Sequence, residues 1–312
     1  MLDVGFILAG LALLIAGGNW LLKSAVALSL KLQIPKMVIG MTVVSFATSA
    51  PELIVSIKAA LEGSPDLALG NVVGSNIANL GLVLGVTVLL GTISVNKSFY
   101  KTDWPVMMLA TFLFVGFIYF DGRLQQYEGL IMVCCLIVFL FFLLRTQKPE
   151  TAEAIPENES SITISKTLLF LALGGIALWG GSELLITGAK SLAQALGVTE
   201  RVIGITVVSI GTSIPELAAS IIAVLKKEKA ISVGNLIGSN IFNLWAVLGI
   251  TATITPIQVV DQGLLTNDIF WMIGISFVVL PLVLLPKGLR LGWREGLVLL
   301  GLYIGFVYLT LT

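Results

Sequence analysis

Long apolar stretches alternate with short polar ones along almost the whole chain, and this pattern predicts a bundle of membrane-spanning helices. A helix needs about 20 apolar residues to cross the hydrocarbon core of a bilayer. By that criterion the sequence predicts ten spans, at residues 4–30, 36–61, 67–90, 104–120, 127–145, 166–195, 201–225, 230–253, 267–286 and 294–312. The predicted fold class is therefore an all-α membrane protein with ten transmembrane helices.

A long polar segment, residues 147–161, separates the first five predicted spans from the last five. It contains two prolines and four glutamates, a composition typical of a flexible linker. We therefore predict three parts: a first five-helix repeat at 1–145, a linker at 146–165 and a second five-helix repeat at 166–312.

Two sequence blocks occur once in each half. Residues 38–53 recur at 202–217, where twelve of the sixteen positions are identical, and residues 70–79 recur at 234–243. Both pairs are offset by 164 positions, which indicates an internal duplication. Because five spans is an odd number, the second half must insert upside-down relative to the first. Inverted repeats of this kind underlie many secondary transporters, whose binding sites lie mid-membrane between the repeats.

Composition supports a membrane protein and argues against nucleic-acid binding. The chain is 57% hydrophobic and 12% charged, whereas soluble domains carry about a quarter charged residues. Its formal net charge is zero, so nothing favours a nucleic-acid partner. The expected surroundings are the lipid bilayer, and no obligate protein partner is evident from the sequence.

The distribution of positive charge predicts the orientation in the membrane. The loops on one predicted side carry 13 lysines and arginines and those on the other side carry 3, with Lys23 and Lys190 left uncounted inside long helices. The side with more positive charge is normally cytoplasmic. We therefore predict a multi-pass cell-membrane protein with both termini outside and the linker at 146–165 in the cytoplasm.

Each copy of the longer block places a glutamate, Glu52 or Glu216, inside an apolar helix. Placing a carboxylate in hydrocarbon is energetically unfavourable, so a carboxylate found there is taken first as part of a functional site. The preceding prolines, Pro51 and Pro215, should disturb the helix and release backbone carbonyls next to the carboxylates. An alternative interpretation is a pair of capping boxes, in which Ser49 and Ser213 cap helices and the glutamates bond back three residues later.

The shorter block adds amide and hydroxyl oxygens. Ser75 and Asn79 are four residues apart and share a helix face, and Asn71 lies one turn earlier. Gly70 and Gly74 form a small-residue pair that lets another backbone approach closely. These polar residues could simply hold helices together, but their duplication beside the glutamates favours a ligand role.

The combined donor set consists of oxygens alone: carboxylates, amides, hydroxyls and backbone carbonyls. The sequence contains no histidine, the commonest ligand for softer metals. Calcium takes six to eight flexible oxygen ligands and is the natural match, sodium accepts similar ligands, and magnesium gives up its water less readily. We expect these ions as transported substrates and predict no resident cofactor.

These motifs resemble those of the calcium/cation antiporter superfamily, most closely the prokaryotic sodium/calcium exchangers. That family carries the patterns G-x-T-x-x-x-x-G-T-S-x-P-E and G-N-x-x-G-S-N-x-x-N/D in each of two α-repeats, which here fall at 40–52, 70–79, 204–216 and 234–243. The resemblance implies a central cation site with Glu52 and Glu216 as shared acidic ligands. It also implies that the remaining ligands are the side chains of Thr48, Ser49, Thr212, Ser213, Ser75, Ser239, Asn79 and Asn243 and the backbone carbonyls of Ser45 and Ser209.

The resemblance further implies long, tilted, mobile first and sixth helices, and the exchange of Ca²⁺ for Na⁺. Two positions depart from the family pattern: Asn243 stands where some relatives have aspartate, and Ala47 stands where glycine is usual. Proton-coupled or potassium-dependent exchange by the same glutamates remains an alternative. An intramembrane hydrolase with paired carboxylates and an ion channel are alternatives of other classes, but neither needs two inverted gates. We do not expect an enzyme.

Overall fold

The computed structural model describes residues 2–146, 163–196, 211–285 and 288–311. Within these ranges the chain forms ten helices. They are α1 Leu2–Leu32, α2 Lys36–Leu61, α3 Pro65–Leu90, α4 Phe99–Asp121, α5 Gln126–Thr146, α6 Ile164–Ala195, α7 Ile214–Leu225, α8 Lys229–Ile254, α9 Leu264–Leu284 and α10 Trp293–Leu311. Eight of these described helices are long and apolar enough to span a bilayer, and the described part of α7 is shorter.

The predicted spans coincide with these helices, except that two of them were predicted to begin a few residues too late. The fourth span was predicted from residue 104 and the ninth from residue 267, whereas α4 begins at Phe99 and α9 at Leu264. Both helices begin with a π-helical turn that carries polar residues, and hydropathy alone excludes such a turn from a span. The first part of the predicted span 201–225 lies outside the described residues.

Five of the helices contain a π-helical turn within their described residues. These turns are Gly40–Val44 in α2, Asn79–Val83 in α3, Phe99–Asp103 in α4, Asn243–Leu248 in α8 and Leu264–Asp268 in α9. Single π-turns inside α-helices are frequent at functional sites. The expected helix break at Pro51 is not present, because the regular segment Ser45–Leu61 runs through that proline and the irregular turn lies upstream of it.

Four two-residue strands show that the two halves are inverted relative to each other. Strand β1 (Ile93–Ser94) follows α3, and β3 (Ile257–Gln258) holds the equivalent position after α8. Strand β1 pairs with β4 (Arg290–Leu291), which lies between α9 and α10, and β3 pairs with β2 (Arg123–Leu124), which lies between α4 and α5. Equivalent strands therefore belong to different sheets, at opposite ends of the bundle. The fold is a ten-helix membrane protein built from two inverted five-helix repeats.

Contacts between loops agree with this arrangement. At one end, Lys36 forms an ion pair of 2.9 Å with Glu228, and Lys229 Nζ donates to the Thr92 carbonyl at 2.7 Å. These contacts join the α1–α2, α3–α4 and α7–α8 loops. At the other end, the carboxylate of Asp66 accepts the backbone N–H groups of residues 260 and 261, which joins the α2–α3 and α8–α9 loops. Loops that alternation places on the same side of a membrane are thus held together.

Helices α3 and α8 form the centre of the bundle and are buried over most of their length. Helices α1 and α6, of 31 and 32 residues, lie outside this centre and pack against each other. The prediction that the first and sixth helices are long is therefore confirmed.

Four glycines bring the backbones of α1 and α6 into direct contact. A methyl group added at Gly10 would lie 2.7 Å from the Gly181 carbonyl oxygen, and one at Gly17 would lie 2.9 Å from that of Gly174. Residue numbers rise along one helix as they fall along the other, so the two helices run antiparallel. Small residues permit this close approach in a membrane, where packing replaces the hydrophobic effect between helices.

Replacing Gly10 with valine should separate α1 from α6, because the new side chain meets backbone atoms that cannot move aside. We expect a loss of roughly 1–3 kcal/mol in stability, the usual cost of overpacking. Thermal unfolding of the detergent-solubilised protein measures this loss. Gly5→Val is the matched control on the same helix, because a methyl group at Gly5 meets nothing within 4 Å. Equal unfolding temperatures for the two variants would contradict the packing described.

Candidate cation site

The two glutamates singled out by the sequence are buried in the centre of the bundle. Glu52 lies on α2 and Glu216 in the first turn of α7, and both side chains are 0% exposed. The helix segment that carries Glu52 contacts α3, α7 and α8. Helices from both repeats therefore surround the pair of carboxylates.

Three of the four carboxylate oxygens have no hydrogen-bond partner among the described residues: both oxygens of Glu52 and Oε2 of Glu216. Ser49 Oγ donates to Glu216 Oε1 at 3.4 Å. The two carboxylates are also close enough to repel each other. Buried charges without partners are strongly destabilising, so a cation between these oxygens would relieve both desolvation and repulsion.

The capping-box interpretation of these glutamates is wrong. Ser49 lies inside a continuous helix, and the Ser213 side chain makes no cap bond. Elsewhere two carboxylates do cap helices: Glu128 accepts the backbone N–H of Gln125 at 2.8 Å at the start of α5, and Glu295 caps α10 in the same way at 2.7 Å. These capping carboxylates are bonded, whereas those of the candidate site are largely not.

The hydroxyls of the two repeats meet in equivalent pairs. Thr48 Oγ1 lies 3.4 Å from Ser239 Oγ, and Ser75 Oγ lies 3.3 Å from Thr212 Oγ1. The 164-residue offset converts one pair into the other. The structure therefore brings these four side chains, from different helices, together as two pairs.

Asn79 and Asn243 are fully buried, and neither atom of either side-chain amide has a partner among the described residues. Each asparagine begins a π-helical turn, in α3 or in α8. Ser213 Oγ is likewise buried without a partner in the described chain. Orphaned buried polar atoms are rare in native proteins and call for a ligand or an ordered water.

The two serines predicted to offer backbone carbonyls have different outcomes. Ser45 is fully buried, its carbonyl oxygen lies 3.4 Å from Thr48 Oγ1, and its own hydroxyl lies within hydrogen-bond distance of the Gly40 and Asn235 carbonyls. Ser209 lies outside the described residues. Ligation by either carbonyl stays a prediction.

Asn235 was missing from the predicted site. Its Oδ1 accepts the Thr48 hydroxyl at 3.2 Å, and its Nδ2 lies 3.5 Å from Ser220 Oγ. A threonine hydroxyl has one proton and two lone pairs, so a proton donated to Asn235 leaves the lone pairs for a cation. The duplication offered a signal for this role, since Asn235 repeats Asn71, which donates to Ser56 Oγ at 3.1 Å.

Close backbone contact places α8 against α2 beside the site. A methyl group at Gly238 would overlap Ser45 Oγ and lie 2.6 Å from the Met41 carbonyl oxygen. The small-residue role was predicted for Gly70 and Gly74, where an added methyl group meets no described atom within 4 Å, and the close approach is observed instead at the repeated position Gly238.

The donor set fits a hard cation. Among the described residues no three His, Cys, Asp or Glu side chains cluster together, so the charge comes from two carboxylates and the other oxygens are neutral. Such a set suits calcium or sodium better than zinc or copper. Glu183, an acidic residue within α6, is exposed and lies apart from this set.

The family described as sodium/calcium exchanger protein matches residues 2–145 and 166–312. The chain belongs to this family. It is 38% identical over 312 residues to CaxA of Alkalimonas amylolytica, covering 97% of each chain, and 30% identical over 349 residues to the sodium/calcium exchanger MaX1 of Methanosarcina acetivorans, covering 98% of each. A solved structure of the sodium-calcium exchanger NCX_Mj matches with a TM-score of 0.82 and 28% identity, covering 99% of this chain and 98% of that one.

Membership in the exchanger family identifies the general activity. Family members are transporters and not catalysts of a chemical reaction, so this protein is a multi-pass membrane antiporter of calcium and other cations.

The contact with Asn235 should orient Thr48 for cation binding. In Asn235→Ala we expect the KM for calcium to rise about tenfold with little change in maximal rate, as for other residues that orient metal ligands. Calcium-45 uptake into proteoliposomes separates the two constants. Asn235→Asp keeps an oxygen acceptor and should restore part of the affinity.

Ser232→Ala is the matched control for this substitution. Ser232 is fully buried on the same helix, and its hydroxyl has no partner among the described residues. An equal rise in KM for Ser232→Ala and Asn235→Ala would mean that Asn235 acts only through general packing.

Proposed function

We propose that this antiporter exchanges Ca²⁺ for Na⁺, and that both ions use overlapping oxygens between the two repeats. The observation that carries the proposal is the pair Glu52 and Glu216: two buried carboxylates, one from each repeat, with three oxygens that no described residue satisfies. The names of MaX1 and NCX_Mj, both sodium/calcium exchangers, support the same pair of ions.

The proposed ligands fall into three chemical groups. Glu52 and Glu216 supply negative charge, and the amides of Asn79 and Asn243 supply neutral oxygens beside them. The remaining proposed ligands are the hydroxyls of Thr48, Ser49, Ser75, Thr212, Ser213 and Ser239 and the backbone carbonyls of Ser45 and Ser209. The burial of Thr48, Ser75 and Ser239 and the contacts Thr48–Ser239 and Ser75–Thr212 across the repeats support this assignment.

Electrostatics explains why such a site would exchange ions and resist leakage. Without a cation, two carboxylates face each other away from water, and closing the site around them is unfavourable. One calcium ion, or a pair of sodium ions, neutralises both carboxylates. Only the loaded protein would then pass readily between its inward-open and outward-open forms, which couples the two fluxes.

Protons and potassium are the alternative counter-ions. The two glutamates could carry protons, whereas the amides of Asn79 and Asn243 cannot, so a proton-coupled cycle would depend on the same two residues. We favour sodium because the family and the sodium/calcium exchangers among the relatives point to it.

Imposed ion gradients distinguish the counter-ions. In proteoliposomes loaded with calcium-45, an inward sodium gradient should drive calcium release, because the two ions compete for one set of oxygens. Potassium and proton gradients of equal size should have little effect. Calcium release driven by a pH gradient in the absence of sodium would replace the sodium proposal with proton exchange.

Neutralising either central carboxylate should stop transport. Glu52→Gln and Glu216→Gln keep the shape of the side chain but remove half of the site's negative charge, so sodium-dependent calcium flux should fall to background. Glu183→Gln is the matched control, because Glu183 is an exposed carboxylate of a membrane helix and its loss should leave flux unchanged. Sodium-dependent flux at the wild-type rate in either central variant would refute the assignment.

We also propose that calcium leaves the cell as sodium enters, with the termini outside and the linker at 146–165 in the cytoplasm. The excess of 13 basic residues over 3 supports this orientation. Alkaline phosphatase fused after the C-terminus should be active, and the same enzyme inserted into the linker should be inactive. The reverse pattern would invert the proposed orientation.

A further inference from the structure

A groove of about 190 Å³ is lined by residues of α1 and α6 and includes none of the candidate cation ligands. Six residues line it: Trp20, Lys23, Ser24, Ala27, Thr167 and Phe170. The groove lies towards the C-terminal end of α1 and the N-terminal end of α6. By the proposed orientation this is the cytoplasmic side.

Lys23 is an exposed cation within a membrane helix and has no carboxylate in ion-pair range among the described residues. Helix α1 contains no acidic residue after Asp3, and α6 contains none before Glu183. A positive charge at this depth without a counter-charge is unfavourable unless it reaches the interface or binds an anion. The counter-charge for Lys23 must therefore come from outside the described chain.

The depth of Lys23 matches the boundary between acyl chains and headgroups. A helix of 31 residues is about 46 Å long, whereas the hydrocarbon core is about 30 Å thick. If α1 is centred, roughly five residues project beyond the core at each end. Lys23 then lies about one turn inside the boundary, within reach of the phosphate layer for a long lysine side chain.

The hydrogen-bonding groups of the groove favour an anionic acceptor. The hydroxyls of Ser24 and Thr167 already donate to carbonyls of their own helices, at 2.8 and 3.3 Å. The ammonium of Lys23 and the indole N–H of Trp20 make no hydrogen bond within the described residues. The Trp20 ring lies 6.4 Å from that of Phe170, which forms an apolar wall beside these donors.

From this arrangement we propose that the groove binds an anionic phospholipid, whose phosphate contacts Lys23 and Trp20 and whose acyl chains lie against α6. The exposed side chains of Leu169 and Leu173 continue the apolar surface from Phe170. Basic pockets between transmembrane helices on the cytoplasmic side are known to bind anionic headgroups. The bound lipid would touch both long helices, α1 and α6.

The repeat carries this site in only one half. At the 164-residue offset, Leu184 replaces Trp20 and Thr187 replaces Lys23, so the equivalent positions of the other repeat lack the cation and the indole. The proposed groove would therefore bind lipid from one leaflet only. The cation site differs, because both halves contribute to it.

Native mass spectrometry of the detergent-purified full chain tests this proposal. Phosphatidylglycerol should stay bound to the wild-type protein more than phosphatidylcholine does, and Lys23→Gln should lower its retention about fivefold, the effect of one lysine near an anionic surface. Lys58→Gln is the control, because it removes the same charge from an exposed position on α2, and it should leave retention unchanged.

Two further measurements fix the nature of the occupant. Trp20→Phe keeps the aromatic ring but loses the N–H group, so it should lower retention of phosphatidylglycerol less than Lys23→Gln does. Excess glycerol phosphate should fail to displace the lipid, because the acyl chains contribute to binding. Equal retention of the two lipids, an unchanged Lys23→Gln protein, or displacement by glycerol phosphate would each overturn the proposal.

Discussion

The arrangement of the bundle depends on the burial of two carboxylates that the described residues leave largely without hydrogen-bond partners. Glu52 and Glu216 are excluded from solvent, repel each other and leave three oxygens without a described partner. A fold that only needed stability would replace such a pair with apolar residues. The carboxylates of Glu128 and Glu295 are different, because each caps a helix and accepts a backbone N–H bond. The central pair is instead suited to bind and release a cation.

The inverted duplication assembles this pair from a single repeated sequence. Both repeats supply a glutamate helix and an asparagine helix, and the cross-repeat pairs Thr48–Ser239 and Ser75–Thr212 follow the symmetry. Other contacts break it. Ser49 donates to Glu216, whereas its counterpart Ser213 has no partner among the described residues. In alternating access two equivalent gates open in turn, so in any one state the equivalent segments must make unequal contacts.

Two kinds of helix packing surround the site. Helices α3 and α8 are buried over most of their length, and α8 meets α2 at a glycine that leaves no room for a side chain. Helices α1 and α6 are mostly exposed and touch each other along four glycines. The site is therefore held by a buried centre, while the two longest helices lie where lipid can reach them.

The sequence by itself determined the spans, their number and the inverted arrangement, because hydropathy and an exact offset of 164 residues are properties of the chain alone, and it proposed the ligands of the candidate site. It did not locate the π-helical turns or the role of Asn235, and it suggested a break at Pro51 where α2 is continuous. The role of Asn235 depends on how α2 packs against α8. Only the tertiary structure decided which oxygens of Glu52 and Glu216 stay without partners, because a hydrogen bond depends on distances across helices that are far apart in sequence.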